Sequence, residues 1–81
     1  MMDINYKLGN RIRELRTNRG WSQEVLSFEA EINKNYISDL ERGTRNPTVK
    51  IIARIAKAFQ VEIGFLFSEE KENQIEKSEV I

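Results

Sequence analysis

Apolar positions recur along this chain at helical rather than strand spacing. Leu8, Ile12 and Leu15 share one face of a helix expected from Tyr6 to Asn18, with Gly20 just past its end. Ser22 is placed to cap a second helix, Gln23 to Ala30, in which Leu26 faces inward and Trp21 anchors the entry. A capping box is absent, because Val25 stands where Glu or Gln would close it. Glu31-Ile32-Asn33 separates this pattern from the next, and Asn33 can cap a third helix, Lys34 to Arg42, that stops at Gly43. Gly43-Thr44-Arg45-Asn46-Pro47 is a loop by composition. Thr48 caps a fourth helix, Val49 to Phe59, with Val49, Ile52, Ala56 and Phe59 as its expected core stripe, and a short fifth helix is expected around Ile63 to Phe67. From Ser68 onward the chain is polar and acidic without sustained periodicity, which predicts a frayed or disordered tail.

The pattern is all-α. Eighty-one residues supply one hydrophobic core, so a single domain over residues 1–67 with a tail over 68–81 is expected. A domain this small is marginal alone, and self-association is a common remedy. Cysteine and histidine are both absent. Their absence removes the commonest nucleophile, general base and transition-metal ligands, and no paired carboxylate constellation replaces them. The chain is therefore not expected to be an enzyme, and no cofactor or metal is expected. No basic-then-apolar leader and no apolar run of membrane length is present, so the expected location is cytoplasmic.

A net charge of zero hides an asymmetry. Residues 1–61 carry eleven Lys/Arg against seven Asp/Glu, whereas residues 62–81 carry two against six. The folded part is basic and the tail is acidic, a distribution compatible with a polyanionic partner.

Two short helices joined by a three-residue turn form a helix-turn-helix pattern at roughly residues 22 to 42. Helix pairs are common in all-α proteins, so the turn and surface residues must discriminate. The strings Gly20-Trp21-Ser22-Gln23-Glu24, Asn35-Tyr36-Ile37-Ser38-Asp39-Leu40-Glu41-Arg42-Gly43 and Arg45-Asn46-Pro47-Thr48 resemble the Cro/repressor-like (XRE-type) helix-turn-helix family, as does Ile55-Ala56-Lys57-Ala58-Phe59 ending in Val61. The resemblance covers about residues 7 to 67. Within the family the single-domain size looks most like the controller proteins of restriction-modification systems, with phage repressors, plasmid regulators and antitoxins of this fold close behind. It implies a compact five-helix domain, a homodimer, and operator binding with the third helix in the major groove. Glu31 and Gln60 depart from the family pattern, standing where such proteins often place glycine. A left-handed backbone at Glu31 would strain the turn by about 1 kcal/mol.

With Ile37 set inward at about 100° per residue, Asn35, Asp39 and Arg42 point outward on the third helix, with Ser38 and Tyr36 on its flanks. Asn can bridge adenine N6/N7, Lys34 can donate to guanine O6/N7 and Asp39 can accept from cytosine N4. Lys34, Asn35, Tyr36, Ser38 and Asp39 are the candidate base readers, against the bland alternative of a solvated helix face. Gln23 sits at a helix N-terminus that already favours a phosphate, and the resemblance makes it a backbone clamp. Arg42, Thr44, Arg45 and Asn46 could hold flanking phosphates, although a plain polar loop is a serious rival for Thr44. Arg16 and Glu41 both fall near the inward stripes of their helices. An unpaired half-buried charge is expensive, so these two are expected to form a structural ion pair.

Ile51, Ile55 and Phe65 are the candidate dimer interface, at the helices where the resemblance places a two-fold; the alternative is that they pack inside the monomer. Glu24, Phe28 and Glu31 line the outer side of the second helix. The resemblance makes them a candidate contact for RNA polymerase, although a lone exposed aromatic is usually nothing. The expected partners are thus a double-stranded DNA operator and a second copy, with no membrane. The competing reading is an antitoxin or protein-interaction module that captures a partner through Ile75, Val80 and Ile81 of the tail.

Overall fold

In a computed structural model of the chain, the structure describes residues 3–72. Four α-helices, α1 (Ile4–Asn18), α2 (Gln23–Ala30), α3 (Lys34–Arg42) and α4 (Val49–Phe59), are followed by a 3-10 turn at Ile63–Phe67. Helices α2, α3 and α4 begin where their caps predict. The side-chain oxygens of Ser22, Asn33 and Thr48 accept from the backbone N–H groups of Val25, Asn35 and Ile51. Helix α1 begins two residues earlier than expected, and the expected fifth helix is a single 3-10 turn. Five residues leave too little chain for propagated α-helical bonding. Among the described residues no helix is long and apolar enough to cross a membrane.

All four helices stop in the same way. A residue just past the helix donates its N–H to a carbonyl three positions back, and the next residue donates to one five positions back, closing the orphan carbonyls. These pairs are Gly20 and Trp21, Glu31 and Ile32, Gly43 and Thr44, and Gln60 and Val61. The first member of each pair is left-handed, including the non-glycine residues Glu31 (φ 58°) and Gln60 (φ 61°). The residue after the bend is Trp21, Ile32 or Val61 in three of the four cases, and each of these packs on the core. That anchoring offsets the strain of a side chain in the left-handed region.

Leu8, Ile12 and Leu15 of α1, Leu26 and Ala30 of α2, Ile37 and Leu40 of α3, Ile55, Ala56 and Phe59 of α4, and Leu66 form one core. Two expectations fail here. Val49 is 75% exposed because it occupies the first turn of α4, beyond the end of the core. Ile55 is 0% exposed; it faces Phe59 along the inner side of α4 and is closed off by the monomer itself. Ile55 is therefore a core residue and not part of a dimer interface, whereas Ile51 and Phe65 are only partly buried.

Helix α1 crosses α3 closely at Gly9. A Cβ built there would sit 2.2 Å from the Leu40 carbonyl oxygen and 2.8 Å from that of Glu41. Beside this crossing, Glu41 is 2% exposed. Its Oε2 accepts from Arg16 Nε at 2.6 Å, and its Oε1 accepts from Arg16 Nη2 at 3.0 Å and from Gln23 Nε2 at 3.1 Å. Arg13 approaches from the solvent side at 3.5 Å, and Arg16 Nη1 also donates to the Trp21 carbonyl at 2.9 Å. Burial alone would push the Glu41 carboxyl up. The hydrogen bonds from Arg16 and Gln23, the Arg16 charge and the Arg13 bond outweigh it and hold the group below the usual carboxylate range. The same bond to Glu41 raises Arg16.

Residues 68–72, expected to fray, lie against a basic stripe of α1. Arg11 donates to the Ser68 carbonyl at 2.7 Å and to that of Glu70 at 2.5 Å, with its guanidinium over the Phe65 ring. Lys7 pairs with Glu69 at 2.6 Å, and its hydrogen bond holds that carboxyl low. Arg19 pairs with Glu72 at 2.9 Å, caps the Leu15 and Phe59 carbonyls, and covers the stacked Trp21–Phe59 rings. A cation at two helix C-termini is favoured by both dipoles. Ile75, Val80 and Ile81 lie outside the described residues.

Two measurements follow from this packing. Gly9→Ala should destabilise the fold by about 1–3 kcal/mol or more in urea melts, because backbone must move. Gly64→Ala, with open space around its Cβ, should stay within about 0.5 kcal/mol. The Glu41 pair should give an acid-sensitive stability. Its folded pKa is depressed, so its contribution is fully present above the unfolded value of about 4.3 and is lost as pH falls through the lower folded value. Glu41→Gln should cost about 3 kcal/mol at pH 7 and flatten the acid limb. Melts in high salt would screen out the exposed Glu69 pair.

Candidate nucleic-acid interface

The Glu31-Ile32-Asn33 turn sets α3 against α2. Beyond the backbone closure, Ser27 Oγ donates to the Ile32 carbonyl at 2.5 Å, and Arg54 Nη1 of α4 donates to the Glu31 carbonyl at 3.2 Å. A left-handed glutamate is thus tied from both sides. Ile37, Leu40 and Glu41 bury the inner face of α3, which leaves its opposite face for solvent.

On that face Lys34 and Asn35 are exposed at the first turn. Lys34 Nζ lies 3.7 Å from a Glu24 carboxylate oxygen, too far for more than a loose pair. Ser38 and Asp39 are half-buried and engaged. Arg42 donates to Ser38 Oγ at 2.8 Å and to Asp39 Oδ1, and Arg45 Nε donates to Asp39 Oδ2 at 3.1 Å. The Arg45 guanidinium also lies over the Tyr36 ring, 4.8 Å from its centre, and Tyr36 packs in turn on the core. Thr44 bonds back to the Asp39 carbonyl through both its N–H and its hydroxyl. Asn46 Oδ1 accepts from the Asn5 side chain at the start of α1. Lys34, Asn35, Tyr36, Ser38, Asp39, Arg42 and Arg45 are therefore brought onto one surface, with the Thr44–Asn46 loop pinned at its edge.

Gln23 occupies the first turn of α2, and one of its amide hydrogens serves Glu41. Arg13, unremarked in the sequence, shares the Glu41 site and is half-exposed; its spacing of three from Arg16 on one helix was the available signal. Arg11 and Arg19 were likewise missed. Their signal was a stripe of Lys7, Arg11 and Arg19 opposite an acidic run at Glu69, Glu70 and Glu72. On the outer side of α2, Glu24 and Glu31 are exposed and Phe28 is 79% exposed. Val49 and Ile63 are further exposed apolar groups, on α4 and the 3-10 turn.

The profile of the helix-turn-helix family matches residues 12–66. The control protein C.BamHI of Bacillus amyloliquefaciens is 41% identical over 61 residues, spanning 74% of this chain and 75% of that protein. The transcriptional regulator RamB of Mycobacterium tuberculosis is 36% identical over 63 residues, but this chain covers only 13% of it. Among solved structures, the restriction-modification controller protein C.AhdI of Aeromonas hydrophila superimposes with a TM-score of 0.76 at 41% identity, over 78% of this chain and 96% of that one. The controller protein C.Esp1396I gives a TM-score of 0.73 at 30% identity, over 83% and 86%. The turn, the outward face of α3 and these likenesses agree: the chain belongs to the helix-turn-helix family of XRE-type, DNA-binding transcriptional regulators.

Proposed function

We propose that two copies of this chain bind a pseudo-palindromic operator, each placing α3 in a major groove, and so regulate transcription as a regulator of the controller-protein type. The observation that carries this reading is the outward face of α3, where polar groups able to meet base edges stand on a helix locked from behind. Lys34 and Asn35, exposed at its N-terminal turn, are the foremost base readers, with Tyr36, Ser38 and Asp39 on the same face. Gln23 keeps one amide hydrogen beyond the one given to Glu41, at a helix N-terminus that favours a phosphate. Arg42, Thr44 and Asn46 extend the backbone contacts on the other side of α3, and Arg45 stands between them and the α3 face.

Dimerisation through α4 and the 3-10 turn is supported by apolar surface that the monomer leaves partly uncovered, namely Ile51 and Phe65 with Val49 and Ile63 on the same two elements. A two-fold there presents two copies of α3 to one side of the duplex, with half-sites about one helical turn apart. The Glu24, Phe28 and Glu31 patch, on the outer side of α2 and bordering the α3 face where Glu24 meets Lys34, is the proposed contact for RNA polymerase. Its support is the exposure of Phe28 among acids.

Titration against a duplex selected from a random pool and a scrambled duplex, at several salt concentrations, tests the first part. The selected duplex should bind roughly 10³-fold more tightly, and equal affinities would end the sequence-specific claim. Asn35→Ala should cost about 1–3 kcal/mol and relax preference at one or two base positions, while Gln23→Ala should weaken all duplexes alike. For the dimer, Phe65→Asp should sediment as a folded monomer with steeply reduced operator affinity. A variant that stays dimeric at full affinity would place the interface elsewhere.

A further inference from the structure

Asp39 is a carboxylate on a surface meant for a polyanion. Left bare, it would repel phosphates. Instead, each of its oxygens is held by a different arginine: Oδ1 by Arg42 on its own helix, three residues on, and Oδ2 by Arg45 Nε, 3.1 Å away in the following loop. Its side chain is only 23% exposed. The backbone of the same residue is pinned as well, because its carbonyl accepts from Thr44 N and Thr44 Oγ1, both at 3.1 Å. Arg45 is thus fixed on two sides, by Asp39 at Nε and by the Tyr36 ring beneath it. Among the described residues only Nε of Arg45 is used, and the two terminal nitrogens, the fork that fits a guanine edge or a phosphate bidentately, make no hydrogen bond to them.

We propose that Asp39 is a positioning residue: it reads no base itself, but holds the loop arginine Arg45 against the α3 face so that Arg45 acts as part of the recognition surface. This rests on the DNA-binding reading above. Two guanidinium bonds already occupy the Asp39 oxygens, and a cytosine amine is a weaker, neutral donor than either. Ordering a free arginine on DNA would otherwise cost side-chain entropy at the moment of binding, and preorganisation removes that cost. The ring of Tyr36 contributes to the same end by supporting the guanidinium plane.

The test compares wild type, Asp39→Ala, Asp39→Asn, Arg45→Ala and the Asp39→Ala/Arg45→Ala double variant, with thermal melts as a folding control. The probes are the duplex selected by the wild-type protein and a scrambled duplex, at fixed salt. Asp39→Ala should bind the selected duplex at least about tenfold more weakly, while its affinity for the scrambled duplex holds or rises, because a negative charge has left the interface. A merely structural defect would weaken both. The double variant should bind the selected duplex within about twofold of Arg45→Ala, showing that the two residues act as one, and Asp39→Asn should fall between wild type and Asp39→Ala. In NMR spectra the Arg45 Nε–H signal, distinct in the wild type, should collapse into the solvent-exposed arginine envelope in Asp39→Ala. Multiplying losses in the double variant, or a change of preference at one base pair that Arg45→Ala leaves intact, would overturn the proposal and make Asp39 a reader. A wild-type protein that fails to distinguish the two duplexes would remove the DNA-binding reading itself, and the proposal with it.

Discussion

A carboxylate withdrawn from water remains charged only where donors replace its hydration, and the three N-terminal helices meet around one such group. Glu41 sits on the inner face of α3 and collects Arg16 from α1, Gln23 from α2 and, at its rim, Arg13. Apolar contacts are non-directional and would tolerate small rotations of α3 about its own axis. The fork of Arg16 on both Glu41 oxygens does not tolerate them, since its two bonds fix angle as well as distance. The rotation of α3 decides which residues look outward. The outward face of α3 is therefore set from behind, by a buried charge pair.

The close approach at Gly9 serves the same end. Helix α1 lies near enough to α3 that Arg16 can reach Glu41 without stretching, and that distance is available only because residue 9 has no Cβ to meet the Leu40 carbonyl. From this fixed backing the outward surface is ordered by a second set of charges. Asp39 draws Arg42 and Arg45 together, with Arg45 over Tyr36, as Glu41 draws Arg16 and Gln23 together inside. One acid organises the hidden side of α3 and another its exposed side. The chain's other acidic concentration is spent differently, with Glu69 and Glu72 meeting Lys7 and Arg19 on α1.

Much of this was legible before any coordinates. Caps at Ser22, Asn33 and Thr48 bound three helices, because a capping oxygen and its backbone partner lie within three residues of each other and local sequence specifies both. The outward residues of α3 followed from periodicity, since a short helix with one apolar stripe can be buried in only one orientation. The pairing of Arg16 with Glu41 followed from the expense of burying either one alone. Three things were not legible. What holds the left-handed backbone at Glu31 and Gln60 against local preference was one: the core packing of Ile32 and Val61, and at Glu31 the hydrogen bonds of Ser27 and Arg54 to the turn. The exposure of Val49 and the burial of Ile55 depend on where α4 meets the rest of the core, which a helical wheel does not contain. The occupation of Asp39 by two arginines and the docking of residues 68–72 on α1 join groups from different elements. The sequence by itself thus determined which segments form α1 to α4, where they stop and which faces of α1, α2 and α3 are apolar, because those properties arise from interactions within a few residues. Only the tertiary structure decided which charges find one another and which apolar residues stay uncovered, because these depend on distances between segments that no local preference encodes.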